Sequence, residues 1–128
     1  MVQIIDNFLP PYEFKRIKNL LTGREFPWYY NSGVVNPNDK NYQFIHTFYD
    51  LRSPWNGVSS AYYEIFSYCF QLLQVEKLYR VKSNCSPKTI FHRNRGYHVD
   101  IPDIITSVLY VNSNNGGTKF KNGTFVRS

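Results

Sequence analysis

Gly96-Tyr97-His98-Val99-Asp100 opens the stretch that decides how this chain folds. A Pro-containing turn follows it, then a β-type run ending Leu109-Tyr110-Val111-Asn112, then Gly116-Gly117-Thr118-Lys119-Phe120. Residues two apart in a strand face the same side, so an imidazole and a carboxylate in His-x-Asp order point together into one cavity. Such a pair can hold a metal, and the same two residues also suit a hydrogen-bonded strand pair without one.

Working outward, residues 78–85, 88–91, 104–112 and 118–126 read as short strands separated by Pro, Gly and Asn. Asn122-Gly123 divides the last of them as a two-residue hairpin turn with both central positions at positive φ. Upstream, Ala61, Ile65, Cys69, Leu72 and Leu73 recur at helical intervals, and Tyr62, Phe66 and Phe70 widen the stripe. This predicts the longest helix over residues 59–74, packed on a sheet. Residues 27–50 read as two strands around Asn36-Pro37-Asn38-Asp39. At the start, residues 2–5 form a β-type run ending at Asp6-Asn7. Pro10-Pro11 then opens a helix with Phe14, Ile17, Leu20 and Leu21 on one face, stopping at Gly23. Helices first and antiparallel strands afterwards predict an α+β, mainly β domain, a helix-supported barrel.

Composition sets the frame for these elements. A chain of 128 residues fits one domain, and 42% hydrophobic residues give enough apolar surface to offset its ordering entropy. Eleven Tyr and ten Phe against one Met favour pleated surfaces over a helical bundle. The net charge of +6 is spread from Lys15 to Arg127, with no run longer than two, so it does not by itself indicate nucleic acid. Cys69 and Cys85 lack any Cys-x-x-Cys spacing, which argues against a zinc site or a disulfide framework. There is no signal peptide and no apolar run near the ~18 residues of a membrane span, so a cytoplasmic protein without a membrane partner is expected.

The wider arrangement resembles the iron(II)/2-oxoglutarate-dependent dioxygenase superfamily, in particular its prolyl 4-hydroxylase-like branch. There a Tyr-rich approach leads to His-x-Asp, a strand ending Tyr-Leu-Asn follows, and then a Gly-Gly-(Glu/Thr)-x-Phe turn. Ile4-Ile5-Asp6-Asn7-Phe8-Leu9-Pro10 is similar to the strand and Asp-x-Phe-Leu step that begin many members. The likeness spans nearly the whole chain, and its specific part is residues 96–120.

The resemblance implies a partial double-stranded β-helix, a cupin-like jelly roll supported by N-terminal helices. It implies iron(II) held by His98 and Asp100, with 2-oxoglutarate and O2 as co-substrates and ascorbate as an optional addition. Tyr110 falls where the family often places a tyrosine that hydrogen-bonds the distal carboxylate of 2-oxoglutarate. Thr106 and Val108 share its side by the period of two and are expected to line the same cavity. The implied reaction hydroxylates a prolyl or other peptidyl residue, or a small molecule.

The family's second histidine, and the Arg or Lys that anchors the co-substrate, are not found before Ser128. The chain therefore reads as the front of a longer protein, weakly active or inactive alone, since a facial triad needs three ligands. A β-helix cut before its last strands leaves unpaired edges, so a homo-oligomer is expected. His46 reads as structural or surface, and His92 as part of a solvated basic loop; Arg93 and Arg95 suit either contact with an acidic substrate or phosphate or a plain exposed loop. The alternatives are a nucleic-acid oxidative demethylase on the same scaffold, and a non-catalytic jelly-roll interaction module.

Overall fold

Proline lacks the N–H that a first helical turn leaves unpaired, and its ring presets a helical φ. Pro11 accordingly begins α1 (Pro11–Leu21), whose Ile17 and Leu21 are buried with Phe14 and Leu20 packed beside them. The helix closes where the Thr22 N–H and hydroxyl both donate to the Lys18 carbonyl, at 2.9 and 2.7 Å, one residue before Gly23. The computed structural model describes residues 1–34, 36, 41–91 and 95–128.

Three strands, β1 (Tyr29–Asn31), β2 (Gln43–Asp50) and β3 (Arg80–Cys85), form an antiparallel sheet in the order β1-β2-β3. Of the turn expected between β1 and β2, Pro37, Asn38 and Asp39 lie outside the described residues. Thr47 pairs with Lys82 and Tyr49 with Val81, so β2 carries one extra residue, Phe48, at a bulge. Phe48 is fully buried, and it meets Phe26, His46 and Phe66 at centroid distances of 6.0, 4.6 and 4.7 Å. Leu9, Ile17, Leu21, Phe26 and Cys69 complete the buried core, with Val81, Leu109 and Val111 packed against it.

The long helix expected over residues 59–74 is interrupted. A 3-10 turn (Tyr63–Phe66) leads into a shorter α2 (Ser67–Leu72). Ser60 explains the late start: its hydroxyl accepts the Tyr62 N–H and its carbonyl accepts the Tyr63 N–H, a local turn that competes with helix. Beyond α2, Val75 N–H reaches the Phe70 carbonyl and Gln74 N–H the Gln71 carbonyl, with Gln74 at φ +50. This paired C-terminal closure stops the helix and leaves Leu72 and Leu73 exposed.

Residues 2–5, 88–91 and 104–112 do not form the expected strands. A strand needs a neighbour to take its N–H and C=O groups, and none pairs with these segments among the described residues. The C-terminal hairpin does form, as β4 (Gly117–Lys119) against β5 (Phe125–Arg127). Its turn differs from the expected one: Gly123 N–H donates to the Phe120 carbonyl and Phe120 N–H to the Thr124 carbonyl, giving a three-residue loop. Only Gly123 takes positive φ, at +91, because Asn122 instead accepts the Thr124 N–H on its side chain. The described residues thus make a mixed α/β fold with small antiparallel sheets and no barrel. No helix among them is long and apolar enough to cross a membrane.

At the end of β2, Asp50 accepts two bonds from the Arg52 guanidinium, at 3.0 and 2.8 Å, and a third from its backbone N–H at 2.9 Å. These bonds to the ionised form hold its pKa down at about 2. A carboxyl depressed on folding adds stability above its unfolded pKa, and that contribution fades as pH falls from the usual carboxylate range towards 2. NMR titration should place the Asp50 midpoint near 2, returning to the ordinary range in Arg52→Ala.

Candidate functional site

Side chains on β3 alternate in direction, and Val81 packs against the core. Arg80 and Lys82, one residue to either side of it, therefore lie on the opposite face. There they meet the irregular segment that carries His98 and Asp100, and with Val34 and Val99 these residues line a cavity of about 220 Å³.

His98 and Asp100 are not on a strand edge, contrary to the sequence reading; their backbone is irregular and a turn follows, with Asp103 at φ +59. Their side chains nevertheless converge, His98 Nε2 lying 3.4 Å from Asp100 Oδ1. The other carboxylate oxygen, Oδ2, faces Arg80 Nη2 at 3.8 Å. The two Asp100 oxygens thus have different neighbours, an imidazole and a guanidinium. Both His98 and Asp100 remain open to solvent, at 40% and 41% side-chain exposure, whereas Arg80 is 23% exposed. Lys82 is half-buried, and its pKa is lowered first by that burial and then by the charge of Arg80, with Asp100 opposing.

Two donors each ~2.1 Å from a metal and at right angles lie roughly 3.0 Å apart. His98 Nε2 and Asp100 Oδ1 stand a few tenths of an ångström beyond that separation, a distance that a direct imidazole–carboxylate contact also gives. Among the described residues, no third His, Cys, Asp or Glu joins them. His92 lies outside the described residues, as does Arg93.

Tyr110 is not part of this cavity's lining. Its phenol is hydrogen-bonded to the Thr118 hydroxyl on β4. Thr106 and Val108, expected to line the site with it, are exposed, Val108 at 65%. The period of two persists here without a strand: Leu109 and Val111 turn to the core, while Val108 turns out to solvent. His46 is buried, with both ring nitrogens hydrogen-bonded, away from the cavity.

Sequence reading missed Arg80 and Lys82, which it counted among scattered surface cations. The alternation Arg80-Val81-Lys82-Ser83 carried the signal, because two cations at a spacing of two on a strand share a face. A second concavity of about 350 Å³ is bordered by Tyr42, Lys88, Phe91 and Arg95. The chain's sequence matches no family profile and no curated protein, and no solved structure matches its fold.

Proposed function

We propose that this chain carries metal ligands of an iron(II)- and 2-oxoglutarate-dependent dioxygenase of the prolyl 4-hydroxylase-like kind, on a partial double-stranded β-helix. The observation that supports the reading is the approach of His98 Nε2 and Asp100 Oδ1 to 3.4 Å at one cavity. When bound, iron(II) supplies the oxidising chemistry that turns 2-oxoglutarate and O2 into hydroxylation of a C–H bond.

The chain's own part is positional. His98 would offer Nε2 and Asp100 would offer Oδ1 to the ion, with Arg80 Nη2 standing 3.8 Å from the other carboxylate oxygen. Tyr110, which the resemblance would put beside the distal carboxylate of 2-oxoglutarate, stands outside this cavity with its phenol bonded to Thr118, so the reading does not rest on it. Among the described residues no third protein ligand joins the pair, so the reading requires one more ligand and a cationic anchor for the co-substrate. The substrate is a prolyl or other peptidyl residue or a small molecule, met in the cytoplasm, with ascorbate as an optional addition.

The test uses the full-length protein. Calorimetry should detect Mn(II) or Fe(II) binding, and iron should support release of succinate from 2-oxoglutarate. Both are lost in His98→Ala and in Asp100→Ala; metal binding that survives either substitution defeats the proposal. Absence of metal binding in the unsubstituted protein selects a non-catalytic interaction module instead.

A second reading, a nucleic-acid oxidative demethylase, draws on the concavity where Tyr42 and Phe91 stand beside Lys88 and Arg95. Exposed rings interleaved with cations suit unpaired bases and phosphates. Salt-sensitive binding of single-stranded DNA or RNA promotes this reading, and no binding at low salt removes it. The outer strands β1 and β3 also offer edges for pairing, so a homodimer or larger assembly is proposed. Sedimentation as a clean monomer counts against that assembly.

A further inference from the structure

The cavity beside His98 carries more positive than negative charge. Arg80 and Lys82 enter it from one face of β3, and among the described residues Asp100 is the one carboxylate in its lining. That carboxylate does not consume the guanidinium: Arg80 Nη2 stands 3.8 Å from Oδ2, whereas Arg52 meets Asp50 at 2.8 Å and Arg16 meets Glu13 at 3.0 Å. A charge-assisted bond closes to ~2.7–2.9 Å, so the Arg80 donors remain available for a better-placed acceptor. Among the described residues, no carboxylate is ion-paired with Lys82. Both cations stand on a strand rather than a loop, and Arg80 is only 23% exposed, so the backbone that carries them is in place before any ligand arrives.

We infer that Arg80 and Lys82 form an oxyanion subsite in this cavity, taking a carboxylate or phosphate group of a small molecule next to His98 and Asp100. The guanidinium presents planar paired donors that match either group, and the ammonium adds a point charge. About 220 Å³ holds such a group but not a large ligand. The subsite needs no iron. It also differs from the co-substrate anchor of the resembled family, which belongs after the second histidine. Where the inference rests on the oxygenase reading, it narrows the substrate class to an acidic small molecule or an acidic side chain.

The experiment is an NMR or calorimetric titration of the metal-free 128-residue chain at low salt, with succinate in one arm and inorganic phosphate in the other. Saturable binding of at least one is expected, and the preferred arm tells carboxylate from phosphate. Arg80→Gln and Lys82→Gln should each weaken it about tenfold, the scale of one charge-assisted contact. Arg80→Lys, which keeps the charge, should recover part of the loss and so separates anion binding from misfolding. Asp100→Asn should tighten anion binding several-fold by removing the resident carboxylate, the opposite of its effect on metal. Failure of metal binding alongside these results ends the oxygenase reading and leaves the subsite standing. No saturation with either anion, or unchanged affinity in either glutamine variant, overturns the subsite.

Discussion

Phe48→Ala should destabilise this protein by about 3–5 kcal/mol, the usual cost of removing a fully buried phenyl ring. A domain's whole stability is about 5–15 kcal/mol, so the variant should be largely unfolded in modest urea. The size follows from position. Phe48 is the extra residue of the β2 bulge, with no exposed surface, and it packs against both layers. On one side it meets Phe26 at 6.0 Å, and on the other Phe66 from the 3-10 turn at 4.7 Å. Truncation therefore opens a void between sheet and helix, and the bulge prevents a neighbouring residue from sliding in. The urea midpoint should fall with little change in slope, since a cavity alters stability more than exposed surface. A fall smaller than about 1 kcal/mol would show that β2 re-registers to fill the space.

What the sequence made legible depends on how local each instruction is. Pro11 at a helix start and the face formed by Phe14, Ile17 and Leu21 are read within a few residues, and α1 lies where they put it. The hairpin of β4 and β5 was also local, although Asn122 kept a negative φ by spending its side chain on the Thr124 N–H. Residues 104–112 show the limit of such reading. Alternation predicts that Thr106, Val108 and Tyr110 turn into a cavity, whereas Leu109 and Val111 are the residues that pack on the core; a ladder also requires a partner strand, and pattern alone cannot say whether one is beside it. Residues 59–74 failed for another reason: a helical stripe was present, but Ser60 was already committed to His46 and to the turn that follows it.

The candidate site was half legible for the same kind of reason. His98 and Asp100 announce themselves by type and spacing, and their side chains meet, but through an irregular backbone rather than the strand geometry used to argue for them. Arg80 joins them from a strand eighteen or more positions earlier, a pairing that depends on tertiary contact and not on periodicity. Tyr110 marks the reverse case. Its place in the motif suggested the cavity, yet its phenol is bonded to Thr118 across the C-terminal hairpin.

His46→Ala is expected to cost nearly as much as Phe48→Ala, for an electrostatic reason added to the packing one. His46 is 5% exposed; its Nδ1 lies 2.7 Å from the Pro27 carbonyl and its Nε2 2.7 Å from the Ser60 hydroxyl. A carbonyl only accepts, so Nδ1 carries the proton and donates, while in the neutral ring Nε2 accepts from Ser60. One side chain thereby ties the approach to β1, strand β2 and the start of the 3-10 region together. Its removal takes a partner from two part-buried groups, the Pro27 carbonyl and the Ser60 hydroxyl, at about 0.5–1.5 kcal/mol each, and leaves a void among Phe26, Phe48 and Tyr62. A total of about 3–5 kcal/mol follows, measurable as a shift in urea midpoint. Ser60→Ala removes the hydroxyl's bond to His46 and the one it accepts from the Tyr62 N–H, and should cost about 1–3 kcal/mol. Because the His46 and Phe48 rings lie 4.6 Å apart, the double variant should lose less than the sum of the two singles. Nitrogen NMR of the neutral ring should show the Nδ1–H tautomer; an Nε2–H signal, or a His46→Ala loss under about 1 kcal/mol, would mean that the ring packs without these bonds.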